Sequence, residues 1–157
     1  MNLVLRSLPL TLLFCHSAAQ VQHLGPKDAF ACARLPAKES REVIAEVERS
    51  AYDTPGSWST ELRAKRITLG QTPGLAIQGS KLLCGATGNC QTWIFRKVGD
   101  RWMSLFTGDE APIIEGFRLG PAVSGGIPDL TVWANSSAEA SQQVTYKFDG
   151  KIYRAVK

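Results

Sequence analysis

A short loop closed by two cysteines constrains the fold of this chain more than any other stretch. Cys84 and Cys90 enclose small residues, and the aromatic and β-branched run Trp93-Ile94-Phe95 follows almost at once. This pattern predicts a disulfide-tied turn that leads into a core strand. Glycines, a threonine and two thiols also suit an active loop, but the strand that follows favours a structural role.

Residues 1–19 have the pattern of a secretory signal peptide. Arg6 is positive, residues 8–14 form a short apolar core, and Ala19 ends a run of small residues that suits a signal peptidase. Cys15 follows Phe14, where lipoprotein processing needs a small residue, so lipidation is disfavoured. The apolar run is shorter than the roughly 20 residues that cross a bilayer. We therefore predict a secreted or periplasmic protein without a membrane span.

The remaining chain is predicted to hold one domain. Residues 20–36 read as a leader and docking segment, and residues 37–157 as a single domain. After signal cleavage Cys32, Cys84 and Cys90 remain, and the near pair is the predicted disulfide. Cys32 is then either a buried free thiol or the true partner of one of the other two. The five residues between Cys84 and Cys90 differ from the two-residue spacing of redox-active cysteines, so a redox-active role is disfavoured.

One helix precedes a series of short strands. Residues 38–51 place Val43, Ile44 and Val47 at helical spacing. From residue 62 onward, alternating runs separated by turn residues predict about seven or eight strands. Sequential strands with short turns pair antiparallel, and a lone helix covers one sheet face. The predicted fold class is α+β, with one N-terminal helix packed on one antiparallel sheet.

Three turn regions punctuate these strands. Gly99-Asp100 predicts a hairpin, and Asp149-Gly150 between two alternating runs is typical of a type I′ hairpin. Residues 120–128, rich in glycine and proline, are expected to be the loosest segment.

Histidine and charge disfavour several function classes. His16 leaves with the signal peptide and His23 lies in the leader, so we predict no histidine-dependent triad, catalytic residue, metal site or cofactor. The formal net charge is +4, and the charges alternate along the chain. Without a basic stripe, no nucleic-acid surface is expected.

Carboxylates remain as an alternative chemistry. Asp109, Glu110 and Glu115 are close in sequence, and Asp129 begins a predicted strand. Paired carboxylates held across a cleft hydrolyse glycosidic bonds. Turn and strand-start roles explain the same acids, and we favour those roles.

The four tryptophans are the sequence feature that favours a binding function. Trp58, Trp93, Trp102 and Trp133 form a binding platform if they are exposed on one sheet face, and are core if they are buried. The core interpretation is favoured, and Trp58 is expected to be the most exposed.

Three stretches together resemble small secreted bacterial proteins of unassigned function. They are the Cys84 to Cys90 loop with its strand, residues 126–130, and residues 146–153. The resemblance covers residues 82–157, implies an exported bacterial domain and supplies no catalytic residues. Small periplasmic inhibitors of cell-wall hydrolases share the size, export signal and disulfide-tied sheet.

We therefore expect a non-enzymatic domain that binds an envelope or extracellular macromolecule. An inhibitor of a cell-wall hydrolase is its narrower form, and a carboxylate-dependent glycan hydrolase is the alternative.

Overall fold

Antiparallel strands and one α-helix make up the part of the chain described by a computed structural model. That part comprises residues 21–22, 30–50, 62–79, 83–107, 111–137 and 140–156. A 3₁₀ turn at Cys32–Arg34 leads into helix α1 at Ala37–Ser50. The strands are β1 Val21–Gln22, β2 Phe30–Ala31, β3 Leu62–Leu69, β4 Thr72–Gly79, β5 Cys90–Val98, β6 Arg101–Ser104, β7 Ile113–Ile114, β8 Gly116–Ser124, β9 Ile127–Asn135, β10 Ser141–Phe148 and β11 Tyr153–Ala155.

The strands belong to two sheets. The first sheet has the order β2-β3-β4-β5-β6, with β7 pairing the start of β5, and the second has the order β1-β8-β9-β10-β11. All pairs are antiparallel. The α+β class is thus confirmed, while the strands divide between two sheets instead of forming the single predicted one. The chain passes from the first sheet to the second after β7, where the Glu115 amide donates to the carbonyl oxygen of Trp133 at 2.9 Å.

Helix α1 covers one face of the first sheet. Val43 and Val47 have no exposed surface and belong to the core. Glu39 pairs with Arg66 of β3 at 3.0 Å and with Lys97 of β5 at 3.5 Å. Glu42 accepts a hydrogen bond from the main-chain amide of Trp102 at 3.1 Å, which satisfies an amide on the free edge of β6. The apolar stripe predicted from the sequence is therefore the packing surface.

The second sheet covers the opposite face of the first. Strand β5 is buried on both faces, because Thr92 and Ile94 are as buried as Trp93 and Phe95. The guanidinium of Arg96 stacks over the Phe148 ring of β10, 5.0 Å from its centroid. The molecule thus has three layers, with the helix outside, the first sheet in the middle and the second sheet beyond it.

The segment expected to be loosest is a tight hairpin. Strand β8 extends to Ser124, which pairs with Ile127 across the two-residue turn Gly125-Gly126. Both glycines have positive φ, 56° and 85°, as a type I′ turn requires. Gly120 and Pro121 fall in a register shift between Leu119 and Val123, so a bulge absorbs the proline.

The last hairpin is wider than its Asp149-Gly150 pair predicts. Phe148 pairs with Tyr153, which leaves a four-residue loop instead of a two-residue turn. Asp149 Oδ1 accepts hydrogen bonds from the amides of Lys151 and Ile152, both at 2.8 Å. These bonds, led by the one from Ile152, lower the pKa of Asp149. The carboxylate organises the loop, and this explains the extra length.

The described residues before the helix belong to the fold. Val21–Gln22, in the predicted leader, pairs with β8. Cys32 is fully buried with a free thiol, and Leu35 is 5% exposed. Burial raises the pKa of the Cys32 thiol from 9.0 to about 12.

Candidate functional site

The disulfide loop is the local structure from which the candidate site is built. Cys84 and Cys90 form the predicted disulfide, so Cys32 is not a partner of either. The Gly85 amide donates to the carbonyl oxygen of Asn89 at 2.8 Å, and the Gly88 amide donates to that of Gly85 at 3.0 Å. The loop therefore closes on itself before the chain enters β5.

Asn89 connects this loop to the second sheet. Its side-chain nitrogen donates to the carbonyl oxygen of Asn135 at 2.7 Å, and its side-chain oxygen accepts from the Asn135 amide at 2.8 Å. The side chain thus binds the last residue of β9 as a neighbouring strand would. Asn89 is only 8% exposed, so both bonds are shielded from water. The loop consequently fixes the end of β9, two residues beyond Trp133.

Two of the four tryptophans are core residues. Trp93 is 1% exposed and Trp102 is 7% exposed. Both lie on the helix-facing side of the first sheet, where Trp93 pairs with Ile77 and Trp102 with Lys97. The Lys97 ammonium stands 5.4 Å from the Trp102 ring centroid. Neither indole therefore offers a face to a ligand.

Trp133 lies differently, on the outer face of the second sheet. Its neighbours in β9, Val132 and Ala134, point to the core, so Trp133 points away from it. The indole is half-buried and lines a hollow of about 280 Å³ together with Arg118, Ser141 and Gln143, which are all exposed. We call these four residues the Trp133 face.

The strand register shows which residues lie next to the Trp133 face on the outer side of the second sheet. Trp133 pairs with Gln143, and the row beside it consists of Arg118, Thr131 and Thr145. The hydroxyls of Thr131 and Thr145 are 3.5 Å apart. An aromatic ring is thus surrounded by guanidinium, amide and hydroxyl groups, a combination that stacks on a ligand and hydrogen-bonds to it at the same time.

A larger hollow, of about 500 Å³, lies between α1 and β6. Its charged residues already serve the fold: Glu42 accepts from the Trp102 amide, and Glu46 pairs with Arg49. The Trp102 indole nitrogen is buried without a hydrogen-bond partner among the described residues. Because that atom is inaccessible and the acids are engaged, the Trp133 face is the better candidate.

Asp129 and Glu115, the described members of the carboxylates named from the sequence, lie far apart along the second sheet. Asp129 is 8% exposed and accepts a hydrogen bond from Ser124 at 2.7 Å. Its charge raises the pKa of Tyr153, although burial of the phenol is the larger cause. The main-chain amide of Glu115 donates to the carbonyl oxygen of Trp133, which lies four residues along β9 from Asp129. That spacing corresponds to about 13 Å of extended strand.

Several predicted site residues lie outside the described part of the chain. They are Trp58, Asp109 and Glu110, and the leader residue His23 and the predicted signal peptide, residues 1–19, also lie outside it. Among the described residues, no group of three His, Cys, Asp or Glu side chains is placed to hold a metal ion. Within the same ranges, the single α-helix falls short of the length and apolarity that crossing a membrane demands.

Sequence reasoning named Trp133 but missed its neighbours. Arg118, Ser141 and Gln143 belong to no motif, and they lie on two strands, β8 and β10, that flank the strand of Trp133. Alternation shows that Trp133 and Val132 point to opposite faces, but the register is needed to place Gln143 beside the indole.

Comparisons with known proteins give no relative for this chain. No protein-family model matches it, and no curated protein or solved structure does so either.

Proposed function

We propose that this protein is an exported, non-enzymatic domain that binds a macromolecule of the cell envelope or extracellular space through the Trp133 face. The observation that carries the proposal is the outward indole of Trp133, ringed by the exposed side chains of Arg118, Ser141 and Gln143. Export is supported by the sequence pattern of residues 1–19 and by the disulfide, since disulfides persist in oxidising compartments.

The shape of the hollow favours a large ligand. Its volume of about 280 Å³ lies just below the range of enclosed small-molecule sites, roughly 300 to 1,000 Å³. A shallow site of this size accommodates one group of an extended ligand, while the rest of the ligand lies across the sheet. Inhibition of a cell-wall hydrolase is a narrower form of the proposal, in which the bound macromolecule is the enzyme itself.

Retention of envelope material on the immobilised protein tests the proposal. We expect the wild-type protein to retain a component of a bacterial envelope extract, and Trp133→Ala to weaken that retention by roughly 30-fold, as expected for a buried aromatic contact of about 2 kcal/mol. Gln143→Ala, which changes only an exposed side chain, should weaken it less.

Met103→Ala is the matched control. Met103 is a large apolar side chain of β6 that is 45% exposed, away from the Trp133 face. Its removal should leave retention unchanged, and near-ultraviolet circular dichroism should show that all variants are folded. Equal retention by the wild-type and Trp133→Ala proteins, or no retention by the wild type, would contradict the proposal.

A further inference from the structure

We propose that the ligand of the Trp133 face is an acidic polysaccharide. One sugar ring stacks on the indole of Trp133, and carboxylate groups of the polymer bind Arg118 and Lys147. This inference rests on the proposed function and specifies its ligand class.

The charges on the outer side of the second sheet carry the argument. Arg118 pairs with Thr131 and Lys147 pairs with Arg154, so both cations share the face of Trp133. Arg154 is engaged by Asp149 at 3.2 Å, whereas no ion pair to Arg118 or Lys147 is found within the described ranges. Both side chains are exposed. The outer face thus presents two cations that are available to anionic groups.

The acids near this face are less accessible to a ligand than Arg118 and Lys147 are. Asp129 lies on the same side of β9 as Thr131 and Trp133. It is 8% exposed, and its carboxylate accepts a hydrogen bond from Ser124. Asp149 is bound to the loop amides and to Arg154. Glu115, half-buried beside the start of β8, is the remaining described carboxylate near this face. The exposed charged groups without an ion pair among the described residues of this face are therefore the two cations, Arg118 and Lys147.

The spacing of these groups suits a repeating polymer. Arg118 and Trp133 are diagonal neighbours on adjacent strands, so their Cβ atoms lie about 7 to 8 Å apart. This distance allows a carboxylate on the stacked ring to reach the planar guanidinium, which binds carboxylates in bidentate geometry. Lys147 lies four residues along β10 from Gln143, about 13 Å away, and would meet an acidic group farther along the polymer.

A sugar fits the remaining groups better than an acidic peptide does. The C–H groups on one side of a sugar ring carry partial positive charge and lie favourably on the negative face of an indole. Ser141, Gln143 and the hydroxyls of Thr131 and Thr145 both donate and accept hydrogen bonds, as a polyhydroxylated ligand requires.

Binding to defined polymers tests the inference. The full protein is titrated with polygalacturonate, alginate and hyaluronate as acidic polysaccharides, with dextran as a neutral polysaccharide and with polyglutamate as an acidic peptide. We expect binding to at least one acidic polysaccharide, at least about tenfold weaker binding to dextran and polyglutamate, and further weakening as salt screens the charges.

Charge-matched variants separate a specific site from general attraction. Arg118→Ala and Trp133→Ala should each weaken binding by about tenfold or more, while Trp133→Phe, which keeps an aromatic ring, should retain most of it. Arg101→Ala removes one exposed positive charge from β6 in the other sheet and should change binding less than about twofold.

Each contrary result has a distinct meaning. Binding to none of the acidic polysaccharides overturns the inference, and so does equal binding to dextran or polyglutamate. Equal losses for Arg101→Ala and Arg118→Ala reduce the interaction to net charge and also overturn it. If Trp133→Ala still abolishes retention of envelope material, the binding face stands and only its ligand class is wrong.

Discussion

Asn89 connects the disulfide loop to the end of β9, two parts that no strand pairing among the described residues joins. It belongs to the disulfide loop that leads into β5 of the first sheet. Its side-chain amide forms hydrogen bonds with both main-chain groups of Asn135 in the second sheet. A further bond from Asn89 to the Thr87 hydroxyl at 2.9 Å fixes the orientation of the amide. Because the site is shielded, losing this side chain leaves buried polar groups without partners.

Replacing Asn89 should therefore destabilise the protein strongly. We expect Asn89→Ala to lower the free energy of unfolding by about 2 to 3 kcal/mol, because two buried hydrogen bonds to Asn135 are lost. Urea unfolding followed by tryptophan fluorescence measures the change.

Asn135→Ala is the matched control, since it keeps the main chain of Asn135 and removes only a 3.4 Å contact to Thr87. We expect a loss below about 1 kcal/mol. Equal losses in the two variants would show that the main-chain bonds to Asn89 contribute little.

The disulfide loop behaves as an element that anchors the start of β5 without holding the whole sheet. Its internal bonds involve Gly85, Gly88 and Asn89, whereas β4 pairs with β5 from Gly74 to Gln78 independently of the loop. The cysteines are six positions apart, and closing so short a loop stabilises a fold by about 2 kcal/mol in the chain-entropy model.

Reduction of the disulfide should loosen the loop and leave the sheets folded. We expect the Gly85 and Gly88 amides to lose protection in hydrogen exchange, while amides of β4 and β5 remain protected. Cys32→Ala should respond to reductant in the same way, because Cys32 is a free thiol. Loss of protection throughout β3 to β6 would show that the disulfide holds the entire fold.

The elements differ in how far their sequences predict them. Strand β3 begins at Leu62, where the sequence predicts the first strand, because apolar and polar side chains alternate from that residue onward. The abundance of glycine and proline predicts a loose segment over residues 120–128, whereas Gly125-Gly126 forms a tight turn, since two glycines between β-forming residues also suit a type I′ turn. Alternation does not reveal which sheet a strand joins, and the division into two sheets could not be predicted for that reason.

The same reason explains the uneven prediction of the candidate site. Trp93 and Trp133 both stand in alternating runs, and the sequence gives them equal status. The difference between them arises from layering: helix α1 covers the side of the first sheet that carries Trp93, whereas Trp133 lies on the outer side of the second sheet, half-buried and lining a hollow. The arrangement of whole layers, not local pattern, decides which indole is available.

At the scale of the whole molecule, the three layers bury two groups that ionise only at high pH. Cys32 lies beneath the helical layer with no exposed surface, and Tyr153 is 1% exposed and donates its hydroxyl to the Pro128 carbonyl oxygen at 2.7 Å. Burial raises both pKa values, that of Cys32 from 9.0 to about 12 and that of Tyr153 upward from 10.0. The folded protein therefore retains two protons that the unfolded chain releases.

Stability should consequently fall in alkaline solution. Above pH 9.0 the unfolded chain binds fewer protons than the folded protein, so the free energy of unfolding decreases as pH rises, by at most about 1.4 kcal/mol per pH unit for each group. Cys32 acts first, and Tyr153 adds its contribution above pH 10.0. Urea unfolding at intervals from pH 7 to 11 measures the slope.

Cys32→Ala should remove the decrease between pH 9.0 and 10.0, whatever its effect on stability at neutral pH. Full recovery on return to pH 7 excludes thiol exchange with the disulfide as the cause. An unchanged slope in Cys32→Ala would show that the thiol is not the group responsible.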